Sequence, residues 1–521
     1  MKKILLSIIT LLTAIVTMAY LYFSKLNTAH AESDLSLYAA VSESGFIFSF
    51  EQDKSVLDLL KGQDNFEEIM GAEKFKSLQS LKEHVLASPA LNRLSQKQTV
   101  YLGILPGKGK ALDFIISTQS DKDISRTQLF HALKTAAIQV DSTAGQTKLT
   151  LADSSIFYLG IKDHLILLSN RPEPIKNILS KPTDKNDDQF VDYIKSGSKL
   201  SKNSLAQLYV NFNRIPALLK PMIPGKLNGE LAILNQQDAY ALLTYNFSRE
   251  KVLFTGTTYF KNPNSYYLLF AEESPQKMNI QNILPERTAN YSIYAIDKYE
   301  PWSKKLEQWF TQHKEAQKRA KLAEAINQKY HLNLELLFPK YFQNQMMTFQ
   351  LSTGEKLGAI NLSNGDKLDQ LLIDLSEDYS DDLKLFKEPE LLYTYFGLPF
   401  QSFKKPYYTI LDNFLVFANT ASTLESFLND YRANKLLINT TGFINMSNQL
   451  PNNSNLNFYI DHRNSRNLFA KNVNLPFFNQ FNNEKALKNY ESFVYQLSGD
   501  HGKFQTNLLI NKYINSGKDF Q

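Results

Sequence analysis

No cysteine occurs among the 521 residues. Disulfides, thiolate catalysis and cysteine-ligated metals are excluded together. A secreted eukaryotic ectodomain of this size would carry disulfides, so the absence points to a bacterial envelope protein. Charge of one sign is also lacking: 57 basic and 52 acidic side chains are mixed along the length, a net of +5. No strong field results, and nucleic acid is excluded as a partner. The eight histidines, His30, His84, His131, His164, His313, His331, His462 and His501, show no HxxxH, HxH or HExxH spacing. No metal site is expected from them. Nucleophile elbows (GxSxG), phosphate loops (GxxxxGK[ST]) and dinucleotide fingerprints (GxGxxG) are missing. The sequence therefore assigns no catalytic, cofactor-binding or metal-binding residue, and no cofactor.

Long apolar runs are scarce as well. Only residues 4–23 form one without charge, preceded by Lys2 and Lys3 and ending in Tyr20, Tyr22 and Phe23. About 20 helical residues rise about 30 Å, enough to cross the hydrocarbon core. The aromatic end suits the membrane interface, and the positive flank stays cytoplasmic. Residues 1–26 are thus expected to be a transmembrane anchor in the inner membrane, single-pass, with the body in the periplasm. The alternative is a cleaved signal, with secretion after cleavage near Ala31, because Ala29-His30-Ala31 has the small-x-small form.

What is present is globular material: 43% hydrophobic and 21% charged residues. A chain of this length suits two domains of about 150 to 250 residues each. A repeat supports that division. Residues 156–179, IFYLGIKDHLILLSNRPEPIKNIL, reappear in pattern at 407–428, YYTILDNFLVFANTASTLESFL. Each has two apolar runs around a polar pair, Asp163-His164 or Asp412-Asn413, and then a helical pattern in which Ile175, Ile178 and Leu179 match Leu424, Phe427 and Leu428. Asp tolerates positive φ, so each pair predicts a tight hairpin turn. The expectation is α+β: two tandem copies of a mainly antiparallel sheet domain with helices, at 36–272 and 288–513, joined by a proline-containing linker over 272–287.

Within the first copy, strands are predicted at 45–51, 99–105, 112–118, 148–151, 155–161, 165–169, 206–211, 239–247 and 252–260, with helical patterns over 56–85 and from Ser125. The second copy repeats the order, with strands at 290–297, 346–351, 357–362, 456–461, 492–497 and 504–510. Trp302, Leu306, Trp309, His313, Ala316, Ala320 and Ala323 predict one long amphipathic helix. The Asn-rich stretches 439–457 and 472–483 carry no structural signal.

Four groups invite chemistry, and each has a plainer reading. Asp461-His462-Arg463 ends a strand, where an acid and a base can project into a cleft; the aligned Asn211-Phe212-Asn213 has neither group, which favours a surface cluster. Asp500-His501 lies between glycines and reads as a turn. Lys304, Lys305, Lys314, Lys318, Arg319 and Lys321 could meet anionic lipid or polysaccharide, but Glu307, Glu315 and Glu324 between them favour a solvated face. Trp302 and Trp309, the only tryptophans, fit a core at helical spacing. Six Asn-x-Ser/Thr sequons, at Asn246, Asn290, Asn361, Asn439, Asn445 and Asn452, fit the abundance of these residues better than glycan attachment.

The MKK-type apolar anchor, the paired units and the LPERTANY phrase at residues 284–291, which introduces a strand, resemble uncharacterised bacterial membrane-anchored envelope proteins of the domain-of-unknown-function type. The resemblance implies a duplicated extracytoplasmic domain and carries no catalytic residues. The functional expectation is a membrane-tethered binding or scaffolding protein of the envelope, with the membrane and an envelope protein or polysaccharide as partners. The alternatives are an envelope enzyme acting on glycans or peptides between two lobes, and a carrier of lipid or another apolar ligand.

Overall fold

The computed structural model describes residues 34–51, 80, 98–107, 113–120, 126–136, 138–143, 146–180, 189–198, 206–225, 233–235, 238–246, 251–475, 478–479 and 489–513. The expected membrane run at 4–23 and, Ser80 apart, the helical pattern over 56–85 lie outside them. Among the described residues no helix is long and apolar enough to cross a membrane.

The chain is α+β, with mixed helices and an antiparallel sheet. Its first half runs α1 (Leu35–Glu43), β1 (Phe46–Glu51), β2 (Thr99–Leu105), β3 (Asp113–Gln119), α2 (Arg126–Thr135), β4 (Gln139–Thr143), β5 (Gln146–Thr150), β6 (Ile156–Lys162), β7 (Leu165–Ser169), α3 (Pro172–Ser180), α4 (Gln189–Ser198), β8 (Gln207–Asn211), α5 (Ile215–Leu219), β9 (Ala239–Asn246) and β10 (Lys251–Phe260). The second half runs β11 (Gln276–Lys277), β12 (Thr288–Ala295), α6 (Tyr299–Gln312), α7 (Ala316–Tyr330), α8 (Leu334–Tyr341), β13 (Phe342–Leu351), β14 (Lys356–Leu362), α9 (Gly365–Leu371), β15 (Ser376–Asp378), β16 (Lys384–Phe386), α10 (Leu391–Phe396), β17 (Tyr407–Leu411), β18 (Phe414–Ala418), α11 (Ala421–Arg432), α12 (Thr441–Ser447), β19 (Asn453–Ser454), β20 (Leu456–Asp461), α13 (His462–Asn472), β21 (Tyr490–Asp500) and β22 (Lys503–Lys512).

All strands but β11 and β19, which pair with each other, form one 20-stranded antiparallel sheet. Its ladder order is β4-β5-β6-β7-β3-β2-β1-β8-β9-β10, then β22-β21-β20-β12-β13-β14-β18-β17-β16-β15. Read from either edge, the connections come in the same sequence. The registers agree as well. Asp141, Lys148, Tyr158, Ser169, Ile115, Gly103, Ile47, Tyr209, Leu242 and Thr257 make one row across the first ten strands. Glu377, Leu385, Tyr407, Ala418, Leu357, Phe349, Tyr291, Tyr459, Val494 and Leu509 make the corresponding row from the other edge. The two meet where β10 pairs with β22, with Thr255 opposite Asn507 at the centre.

The hairpin turns predicted at Asp163 and Asp412 form, with φ of 53° and 51°. One face of the joined sheet carries a core shared by both halves, including Phe254, Phe260, Trp302, Leu306, Phe458 and Phe504. On the other face each half has its own cover. There α1 and α4 bury Leu37, Val41, Phe190 and Ile194 against the first half, while residues 278–284 with α11 and α12 cover the second.

Three expectations are corrected. The long helix is two, α6 and α7, because His313 closes α6 by stacking on Trp309 (4.0 Å between centroids) and Lys314 takes a φ of 61°. Arg319 then fixes the new direction, donating to Thr394 O at 2.8 Å. The stretch 272–287, expected as a linker, is packed: Ile280, Ile283 and Leu284 are buried at the spacing of a 3-10 turn, and Gln345 Oε1 accepts from the Asn279 and Ile280 N–H groups, each at 3.0 Å. The Asn-rich stretch 439–457 is ordered, forming α12, β19 and the start of β20, with Asn455 accepting from Gly499 N–H at 2.7 Å.

Candidate functional site beneath helix α12

The strand-end group Asp461-His462-Arg463 does not converge into an acid–base pair. Asp461 caps α13: Oδ1 accepts the Asn464 N–H at 2.7 Å and Oδ2 accepts the Tyr459 hydroxyl at 3.3 Å. His462 is buried and its Nδ1 lies 3.0 Å from Tyr490 O. Burial raises the Asp461 carboxyl above the usual carboxylate range and lowers the His462 imidazole. Asn211, at the same register in the first half, caps the Asn213 N–H in the same way. The shared part is a helix cap.

The remaining candidates also resolve into structure. His501 occupies a turn with φ of 50°. Of the basic group, Lys305 pairs with buried Glu273 at 2.7 Å and Lys318 with Glu390 at 2.6 Å. Trp302 and Trp309 are core residues. Asn361, one of the sequons, is buried and accepts from the Asn344 and Gln345 N–H groups, which leaves no room for a glycan. Among the described residues no three His, Cys, Asp or Glu side chains converge as metal ligands would.

A site that the sequence did not flag lies where the two halves differ in filling. In the first half, α4 places Phe190 on Tyr240 (4.9 Å, stacked), and Tyr193 lies against Tyr240 and Tyr259. Beneath them Tyr209 donates to Gln207 Oε1 at 2.6 Å. These rings occupy the space, and the Tyr209 and Tyr193 hydroxyls are both paired, the latter with Thr257. In the second half the register equivalents of Ile47, Tyr240 and Tyr259 are Tyr291, Ser492 and Asn511, and those of Gln207 and Thr244 are Asn457 and Gln496. The cover, α12, supplies only Phe443 and Met446 as buried side chains.

The result is a small, half-open recess of ≈ 130 Å³. Met278, Phe443, Met446 and Leu450 wall it, Tyr291, Asn457 and Gln496 form its floor, and Lys277, Gln281 and Asn452 stand at the rim. Tyr291 stacks on Tyr459 at 4.8 Å, and Phe443 meets Tyr459 edge-on. Tyr291 is 1% exposed and Asn457 6%, yet the Tyr291 hydroxyl and Asn457 Oδ1 have no hydrogen-bond partner within the protein. Burial pushes the Tyr291 phenol far above the usual tyrosine range, so it stays protonated and able to donate. On β21, on β22 and in the turn after α12, Ser492 Oγ, Asn511 Nδ2 and Gln449 Oε1 likewise have no partner within the protein, although Gln449 Nε2 donates to Asn511 Oδ1 at 2.9 Å. Native interiors leave few such atoms, because each costs about 1–3 kcal/mol. Two of them, on Tyr291 and Asn457, line the recess, where a bound group could reach both.

Chemically the recess offers neutral donors and acceptors between apolar walls, the make-up of a small-ligand pocket. Its one sequence signal was the strand N-L-N-F-Y-I-D at 455–461, where Asn455, Asn457, Tyr459 and Asp461 alternate onto one face. That pattern reads as a solvated face until the covering helix is in place. Comparison with protein-family models, curated proteins and solved structures finds no match for the chain.

Proposed function

We propose that the chain is a duplicated, membrane-tethered binding protein of a bacterial envelope, without catalytic chemistry, whose second half holds a ligand beneath α12 and whose first half is a filled counterpart. The observation that carries the binding reading is the pair of unpartnered buried polar atoms on the recess floor, the Tyr291 hydroxyl and Asn457 Oδ1. Duplication is supported by the strand order and matching registers read from the two edges. The anchor and export rest on the uncharged run after Lys2-Lys3 and the absence of cysteine. An enzyme acting between two lobes draws less support, since β10 and β22 pair at the join and Phe254, Phe260 and Phe504 fill it.

Native mass spectrometry of the full chain released from its membrane tests the binding. A non-covalent adduct on the wild type that is lost in Met446→Trp, which fills the recess, is the expected result. Identical spectra for the two proteins after incubation with envelope extract would overturn it. Location is tested separately. A cysteine introduced at exposed Lys304 would be the only thiol in the chain, and it should react with a membrane-impermeant maleimide in cells whose inner membrane is intact.

A further inference from the structure

Resting on the binding reading above, we infer that the recess recognises a neutral group that both donates and accepts hydrogen bonds, an amide or a hydroxyl, carried on a short apolar arm. Asn457 Oδ1 is a buried acceptor without a donor, and the Tyr291 hydroxyl is a buried group without a partner. Both line the recess, so a ligand group placed between them must donate to the first and can accept from the second. Neither demand is met by a hydrocarbon alone. Above that floor Met278, Phe443 and Met446 supply apolar wall, and methionine and aromatic side chains fit short alkyl arms of varied shape.

Charge is disfavoured at the same place. The floor offers no countercharge, and the nearest cation lining the recess, Lys277, is an exposed rim residue. A carboxylate or ammonium pressed against this floor would lose its hydration without a partner, which costs far more than a neutral amide loses. The first half shows what the scaffold does when no ligand is to be held. There the corresponding Gln207 is bonded by Tyr209, and the position of Tyr291 is occupied by Ile47.

Saturation-transfer difference NMR on the full chain in nanodiscs, with butanamide, 1-butanol, butanoate and butylammonium as probes, tests this directly. Butanamide and 1-butanol should give signal that falls at least tenfold in Asn457→Leu and in Met446→Trp, while butanoate and butylammonium give the same background in all three proteins. The isosteric Asn457→Asp keeps the shape and adds a charge. It keeps the acceptor and should gain butylammonium, which the wild type does not bind, a switch that an unfolded variant cannot produce. The inference is overturned if ordered waters alone satisfy the floor, so that no probe binds the wild type, or if charged and neutral probes bind alike. If native mass spectrometry still finds an adduct lost in Met446→Trp, the binding reading survives while the ligand class assigned here does not.

Discussion

The faces beneath α4 and α12 are one scaffold filled in two ways. Both have a helix laid over a strand pair in the same register, with Tyr209 and Tyr459 at the same place. Under α4 the space is taken by stacked rings. Under α12 it holds Tyr291, Asn457, Ser492 and Asn511 with several polar atoms unmet. The first half thus demonstrates that the fold has no need of those polar side chains. Residues that a fold does not require, and that cost it stability, are the first to test for a binding role.

The contrast can be broken most severely through volume. In the first half Ile116 pairs with Leu168; in the second the same pair is Gly358 and Phe417, one small and one large. A Cβ on Gly358 would lie 2.2 Å from the Phe417 ring. Gly358→Ile should destabilise by about 3 kcal/mol, and adding Phe417→Leu should recover more than half of that in denaturant unfolding, since the double variant restores the first-half pair. No recovery would mean that the two halves pack by different rules. Next in size is the cover itself. Phe190→Ala empties a filled site and should cost about 3–5 kcal/mol, whereas Phe443→Ala, beside a space already open, should cost at least about 1 kcal/mol less. Equal losses would remove the distinction between the two faces.

Smaller effects sharpen the polar side of the comparison. Tyr209→Phe deletes a paired hydroxyl and should cost about 1 kcal/mol; Tyr291→Phe deletes an unpaired one and should be neutral or slightly stabilising in the ligand-free protein. The smallest effect is a pH slope. Burial raises the Asp461 and Glu491 carboxyls, and the Asp461 charge raises Glu491 further. The folded chain therefore holds protons that the unfolded chain has released, so stability falls as pH climbs from the ordinary carboxyl range to the raised one and is level above it. Asp461→Asn, which keeps a capping oxygen as Asn211 does, should flatten that slope in unfolding free energies measured against pH.

Much of the framework was legible because its signals are local. Strands β2 and β7 coincide with the apolar runs 99–105 and 165–169, and β20 with 456–461. Asp163 and Asp412 take positive φ as their turn chemistry predicts, and Ile175 and Leu424 bury the matched helix faces. Other elements escaped for physical reasons. Strands β15 and β16 have three residues each, too few for a period to register. Helix α10, LLYTYF, is buried on every side and so has no amphipathic pattern. The break between α6 and α7 falls within helix-favouring residues, and it comes from where Arg319 must reach.

Composition and pattern by themselves settled that the chain is a globular α+β protein built from antiparallel strands, with repeated hairpins turning on aspartates, because backbone preference and apolar periodicity act over a few neighbours. Only the tertiary structure decided which polar residues are buried. Asn457 and Tyr291 are 166 residues apart in number and become the floor of one recess through the pairing of β12 with β20 and the cover of α12. Burial of a polar atom is set by what lies over it, and that is a property of distant segments meeting.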